Sequence, residues 1–167
     1  MYKLWISPET DFRNFELDEL FWFIKTRKGN DSGINTYIMT MISRIPRQIV
    51  AFDVDKSVKA KSIQRMVDGV PLAKNYFTDG GSIYLDVDFC SRHRRNIHNK
   101  KDTHIIEGTN ADLRHYISGL ARRSRTFYRS RETLKAVLWT FINAYNKYNH
   151  AKLKYDRQPP FSFLNFL

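Results

Sequence analysis

Cysteine is nearly absent from this chain. The single thiol, Cys90, excludes a disulfide within the chain and any zinc site built from several cysteines. Its expected role is that of a small buried apolar residue. No apolar run approaches the length of a membrane span, and the opening MYKLWISPET lacks the apolar stretch of a signal peptide. The expected location is the reducing cytoplasm. There is no internal repeat and no low-complexity segment. No Ser–His–Asp spacing stands out, and no glycine-rich phosphate loop is present. Acids are outnumbered, 17 Asp and Glu against 28 Lys and Arg, which leaves a net charge of +11. That excess points to a polyanionic partner, nucleic acid before a membrane surface, although a merely soluble basic protein carries the same signature.

What is present is a globular composition. The chain is 42% hydrophobic and 14% aromatic, and its 167 residues are enough for one domain with a real core. Residues 1–14 read as a lead-in, 15–150 as the body and 151–167 as a tail. FELDELFWFIK, residues 15–25, reads as a strand with Phe15, Leu17, Phe21 and Phe23 on one face. Glu16, Asp18, Leu20, Trp22 and Ile24 occupy the other. Residues 27–33 read as a hairpin loop. Strands over 34–44 and 48–54, joined by a tight turn at Pro46, complete an antiparallel meander. A helix over 57–68 turns Ile63, Met66 and Val67 inward and stops at Gly69. A short strand over 75–78 runs into Asp79, Gly80 and Gly81; a second is expected over 89–94.

Residues 93–101 form a basic segment expected to be an exposed loop, and its His93 and His98 have no further ligand at a convincing metal spacing. A helix follows from about residue 103, with Leu113, Tyr116, Ile117 and Leu120 on its apolar face. Ser130 can cap a last helix over 131–148, whose Leu134, Leu138, Phe141, Tyr145 and Tyr148 recur at core-packing intervals. The tail carries Pro159, Pro160 and an apolar end, which implies docking on the domain or on a second subunit. This order predicts an α/β fold: a five-stranded mixed sheet, an antiparallel meander plus two parallel strands, flanked by helices.

Three acids stand out in that frame. Asp18 interrupts a strand that otherwise reads as buried on both sides, an expensive place for a carboxylate unless something pairs it. Asp79 sits at a strand's C-terminal end before two glycines, a common placing for active-site residues in α/β folds; Asp-Gly pairs also close ordinary turns. Glu107, Asn110 and Arg114 form a polar stripe at helical offsets, followed by Arg122, Arg123, Arg125, Arg129 and Arg131. A solvated helix face would read the same way. If the Asp18 strand lies beside the strand ending at Asp79, the Glu107 helix can pack against the same edge.

Three carboxylates within about 4–6 Å repel one another unless a cation joins them. Oxygen ligands suit Mg²⁺ or Mn²⁺ rather than zinc, and two such ions roughly 3.5–4 Å apart clamp a phosphodiester. His104 and Asn110 flank Glu107 and are candidates for orienting a scissile phosphate or a water, while His104 reads equally as a plain helix-start residue. Arg114 is within reach of a flanking phosphate, and Arg122, Arg123 and Arg125 extend the basic track.

The stretches FELDELFWFI, YFTDGG and THIIEGTNADLRHYISGLARRSRTFYRS, around the three acids, are joined by SRIPRQIVAFDV and ETLKAVLWTFINAYN. Together they resemble the catalytic part of insertion-sequence-one-type transposases, members of the DDE group with a ribonuclease-H-like fold. They span nearly all of residues 15–148. Asp18 and Asp79 are 61 positions apart (79 − 18), Asp79 and Glu107 28 (107 − 79), both plausible for this group. The resemblance implies that Asp18, Asp79 and Glu107 are the metal-binding triad, with Arg114 at a basic position seven after the glutamate (114 − 107). It implies cutting at element ends, joining of 3′ ends to target DNA, two Mg²⁺ or Mn²⁺ ions, a homo-oligomer on DNA and a nucleoid-associated location.

Full-length relatives carry an N-terminal zinc-binding and helix-turn-helix region. Only the lead-in precedes the body here, so a downstream reading frame or truncated copy is expected, with an upstream-frame DNA-binding protein as partner. Two other readings stay open: a truncated DNA-binding protein without catalysis, acting as inhibitor or relic, and a structure-specific nuclease on the same fold.

Overall fold

The computed structural model describes residues 4–24, 34–95, 103–121 and 128–154. Strands β1 (Asn14–Ile24), β2 (Ile34–Ser43) and β3 (Gln48–Asp55) form the expected antiparallel meander. Strands β4 (Asn75–Thr78) and β5 (His93–Arg95) add in parallel beyond β1, so the order across the sheet is β3-β2-β1-β4-β5. The strand at the centre, β1, is the one that carries Asp18.

Alternation along β1 builds two cores, one on each face. Phe15 and Leu17 pack with Met39, Met41 and Tyr76 against Ile63, Met66 and Val67 of α1 (Ala60–Asp68). Leu20 and Trp22 face the other way, into a cluster with Leu113 of α2 (His104–Tyr116) and Leu134, Leu138 and Ile142 of α3 (Arg131–Lys154). Burying each such side chain stabilises the fold by about 1.5–3 kcal/mol. Ser130 Oγ accepts the Thr133 N–H (3.1 Å) and caps α3. Among the described residues no helix is long and apolar enough to cross a membrane.

Two buried amides bind the edge of the sheet to α3. Asn146 accepts the Ile49 N–H and donates to the carbonyls of Ile49 and Trp5, each at 2.9 Å. Gln48 donates to the Asn146 carbonyl (2.9 Å) and accepts from Ser7 N–H and Thr10 Oγ1. The N–H and carbonyl of Ile49, on the edge strand, are thereby satisfied.

Four expectations are corrected. The fifth strand begins at His93 rather than Phe89, because Cys90 and Ser91 turn through positive φ (53° and 60°) before pairing starts. Phe89 is a buried loop anchor, and Cys90, expected inside, is exposed on that turn. His93 belongs to the strand and not to an exposed loop. Helix α2 ends at Tyr116, where Ile117 is extended; Ile117 and Leu120 reach the core through a short 3₁₀ turn, and Tyr116 is left 54% exposed. Gly119 lies in that turn against the Tyr128 ring, and a Cβ there would overlap it. The predicted hairpin loop over 27–33, His98 and the apolar end of the tail lie outside the described residues.

Candidate metal centre

The pairing of β1 with β4 sets the site. Asn14 faces Asn75, Phe15 faces Tyr76 and Glu16 faces Phe77, a constant offset of 61 (75 − 14). Asp18 and Asp79 differ by the same 61, so they stand level just beyond the last paired residues. The Asp79 carboxylate accepts the Gly81 N–H (2.8 Å), which curls the chain back around it. A Cβ on Gly81 would sit 2.9 Å from Asp79 Oδ1 and 3.3 Å from the Tyr84 ring, so a larger residue there would push the Asp79 carboxylate aside. From β5, Arg95 Nε donates to the Gly80 carbonyl (3.1 Å) and His93 Nε2 bonds Thr78 Oγ1 (2.8 Å). Burial and the neighbouring Arg95 charge hold the His93 pKa below its ordinary value, which suits a neutral ring bonded behind Asp79.

Helix α2 crosses the other face of β1. Asn110 is buried; its Nδ2 donates to Asp18 Oδ2 (2.8 Å) and its Oδ1 accepts from Thr40 Oγ1 (3.4 Å). One turn earlier Ile106 N–H bonds Glu16 (2.8 Å). From the β2–β3 turn, Arg47 donates to Thr109 and Asp112 (both 2.9 Å), and Asp112 also accepts from the Tyr145 hydroxyl (3.0 Å). The helix is thus fixed along its length to the sheet and to α3.

Among the described residues, Asp18, Glu19 and Asp79 offer carboxylate oxygens that lie within 4.8 Å of one another. Glu19 is the residue that sequence reading missed. Alternation turns it away from Asp18, yet β1 has no β4 partner beyond Glu16, and both neighbours reach Asp79 at that open edge. Glu107 stands outside this closest group. It is exposed in the first turn of α2, one turn before Asn110, and its negative charge still helps raise the Asp18 pKa.

The Asp18 shift is upward chiefly through burial, then through the charges of Asp79 and Glu107, against lowering by a backbone hydrogen bond and by Asn110. Burial, with Asp18 and Asp79 as further causes, pushes Glu19 up to about 7, although the Tyr84 hydroxyl bonded to it opposes the rise. Tyr84 in turn is held well above the phenol range by burial and by Glu19. Crowded acids driven toward protonation are what a divalent cation would relieve. The donor set is carboxylate oxygen throughout, the kind of ligand that hard divalent cations such as Mg²⁺ or Mn²⁺ take.

The remaining candidates are distributed unevenly. His104 is exposed at the start of α2, and Arg114 is half-buried two turns beyond Glu107. Arg122, Arg123 and Arg125 lie outside the described residues.

No protein-family model and no curated protein matches this chain. Among solved structures it is similar to the crystal structure of the Mos1 strand transfer complex, with a TM-score of 0.51 and 16% identity over 85% of this chain and 52% of that one. A Mos1 transposase paired-end complex with the left transposon end gives a TM-score of 0.49 at 15% identity, with the same coverage. The chain spans about half the length of each, 52%. The first likeness is one of fold: the mixed five-stranded sheet with flanking helices is the expected ribonuclease-H-like arrangement.

Proposed function

We propose that residues 15–150 are the catalytic domain of an insertion-sequence-one-type transposase, which cuts DNA at element ends and joins the 3′ ends to target DNA. The single observation that carries this reading is the β1–β4 register. It sets Asp18 level with Asp79 at one open strand edge, with Asn110 of the Glu107 helix bonded to Asp18. Asp18 and Asp79 hold the cations, Glu107 completes the set from α2, and Glu19 offers a further oxygen. Two Mg²⁺ or Mn²⁺ ions bound there would supply charge neutralisation at the phosphodiester and a lower pKa for the attacking water or 3′-hydroxyl. The protein's own part is positional. Asn110 keeps one Asp18 oxygen oriented, the Gly81 N–H fixes Asp79, and Arg114 and His104 on α2 take flanking phosphates. Arg122, Arg123 and Arg125 prolong the phosphate track. DNA is the partner, bound by a homo-oligomer.

The test is cleavage and joining of end-containing DNA with Mg²⁺ or Mn²⁺. Asp18→Ala is expected to lose about 100-fold or more, since changes to outer-shell partners alone cost about 10- to 100-fold in metal sites. Equal nicking by the variant and the wild type would overturn the reading. Cleavage without joining of pre-cut 3′ ends would assign a nuclease instead.

A further inference from the structure

One acid near the site takes no part in the carboxylate cluster. Glu16 is fully buried, at 0% exposure. Its Oε1 accepts from Arg44 Nε (2.7 Å) and its Oε2 accepts the Ile106 backbone N–H (2.8 Å). Ile106 lies in the first turn of α2, where helix N–H groups lack intrahelical partners. Thr103, the residue that would ordinarily cap this helix, makes no side-chain capping bond. The Glu16 carboxylate therefore does a cap's work from the neighbouring sheet, and its charge faces the positive end of the helix dipole. Arg44, just past β2, lays its guanidinium 4.4 Å from the centre of the Phe77 ring. Phe77 is the β4 residue paired with Glu16.

These contacts touch all three elements that carry the candidate triad, close to each acid. Glu16 is two residues before Asp18, Phe77 two before Asp79, and Ile106 one before Glu107. We propose that Glu16 and Arg44 form a positioning latch that sets Glu107 against the Asp18–Asp79 pair. Glu16 is not itself a metal ligand, because it is buried with both oxygens engaged. The inference rests on the metal reading above and assigns that site its supporting residues. A buried carboxylate is costly unless paired and hydrogen-bonded, and this one is both.

The test is Mn²⁺ binding by the full chain, followed by electron paramagnetic resonance of the free ion, in wild type, Glu16→Gln, Arg44→Lys, Glu107→Gln, each of the first two variants combined with Glu107→Gln, and Asp18→Asn. Glu16→Gln keeps size and an acceptor oxygen but removes the charge. It is expected to raise the Mn²⁺ Kd about 10-fold, the lower end for loss of an outer-shell partner. Arg44→Lys should shift the Kd in the same direction and decides the matter by the same criteria if Glu16→Gln does not fold. If the latch acts through Glu107, Glu16→Gln adds less than about twofold once Glu107 is already Gln, the margin within which independent sites add. An equal rise in both backgrounds would mark general loosening and overturn the latch. So would an unchanged Kd in Glu16→Gln and Arg44→Lys while Asp18→Asn abolishes binding. Binding that survives Asp18→Asn would overturn the metal reading itself, and the latch with it.

Discussion

Glu19 and Asp18 are neighbours in one strand, and both have pKa values raised first by burial. For Glu19 the consequence for stability has a definite sign. Its value moves from 4.5 in the free side chain to about 7 in the fold, so the folded chain favours the protonated form. Without metal, stability from this group is fully present below about pH 4.5 and is lost as pH rises through about 7. Glu19→Gln should therefore stabilise the metal-free protein at pH 8 by about 1–3 kcal/mol, and flatten its unfolding midpoint between pH 5 and pH 8. Urea melts with a chelator present check this; a variant as pH-sensitive as wild type would exclude Glu19 as the source. Metal affinity should run the opposite way, falling as pH drops below about 7, because a protonated carboxyl is a poor ligand. At this scale sequence reading found the acids whose settings were locally odd: Asp18 inside an apolar strand and Asp79 before two glycines. It passed over Glu19 and Glu16 because the worth of each depends on a distant partner, Tyr84 for one and Arg44 with Ile106 for the other.

Among the elements, α3 shows how a long helix does more than cover a core. Its apolar stripe was legible from spacing, and Leu134, Leu138, Phe141 and Tyr145 are all buried. Asn146, on the same helix, carried no such signal, yet it closes the edge of β3 and holds residue 5 of the lead-in through bonds to Ile49 and Trp5. Asn146→Ala strands one backbone N–H and two carbonyl acceptors. It is expected to cost about 3 kcal/mol or more, at about 1–3 kcal/mol for each buried group left unsatisfied. Urea unfolding measures it, and a loss below about 1 kcal/mol would show that water replaces the amide there. Where element boundaries departed from expectation, backbone geometry was responsible. The positive φ of Cys90 and Ser91 delays β5, and the extended Ile117 ends α2 although its side chain still reaches the core.

For the whole molecule, the excess of 28 basic over 17 acidic residues predicts binding driven by phosphate contacts. Affinity for duplex DNA, followed by fluorescence anisotropy with a chelator present, is expected to fall about 1,000-fold or more between 50 and 200 mM salt if six or more phosphates are contacted. Asp18→Asn should leave that slope unchanged, because the acid is not part of the phosphate track. A response flat in salt would count against backbone binding.

The sequence by itself determined the charge, the antiparallel meander and the apolar stripe of α3. Each of these follows from a residue's own chemistry or from periods of 2 and 3.6 along the chain. Only the tertiary structure decided which acids meet. The 61-residue β1–β4 register brings Asp18 to Asp79, and contacts spanning 90 and 92 positions lay α2 across β1. Those relations are set by strand pairing and packing between distant segments, and no local pattern encodes them.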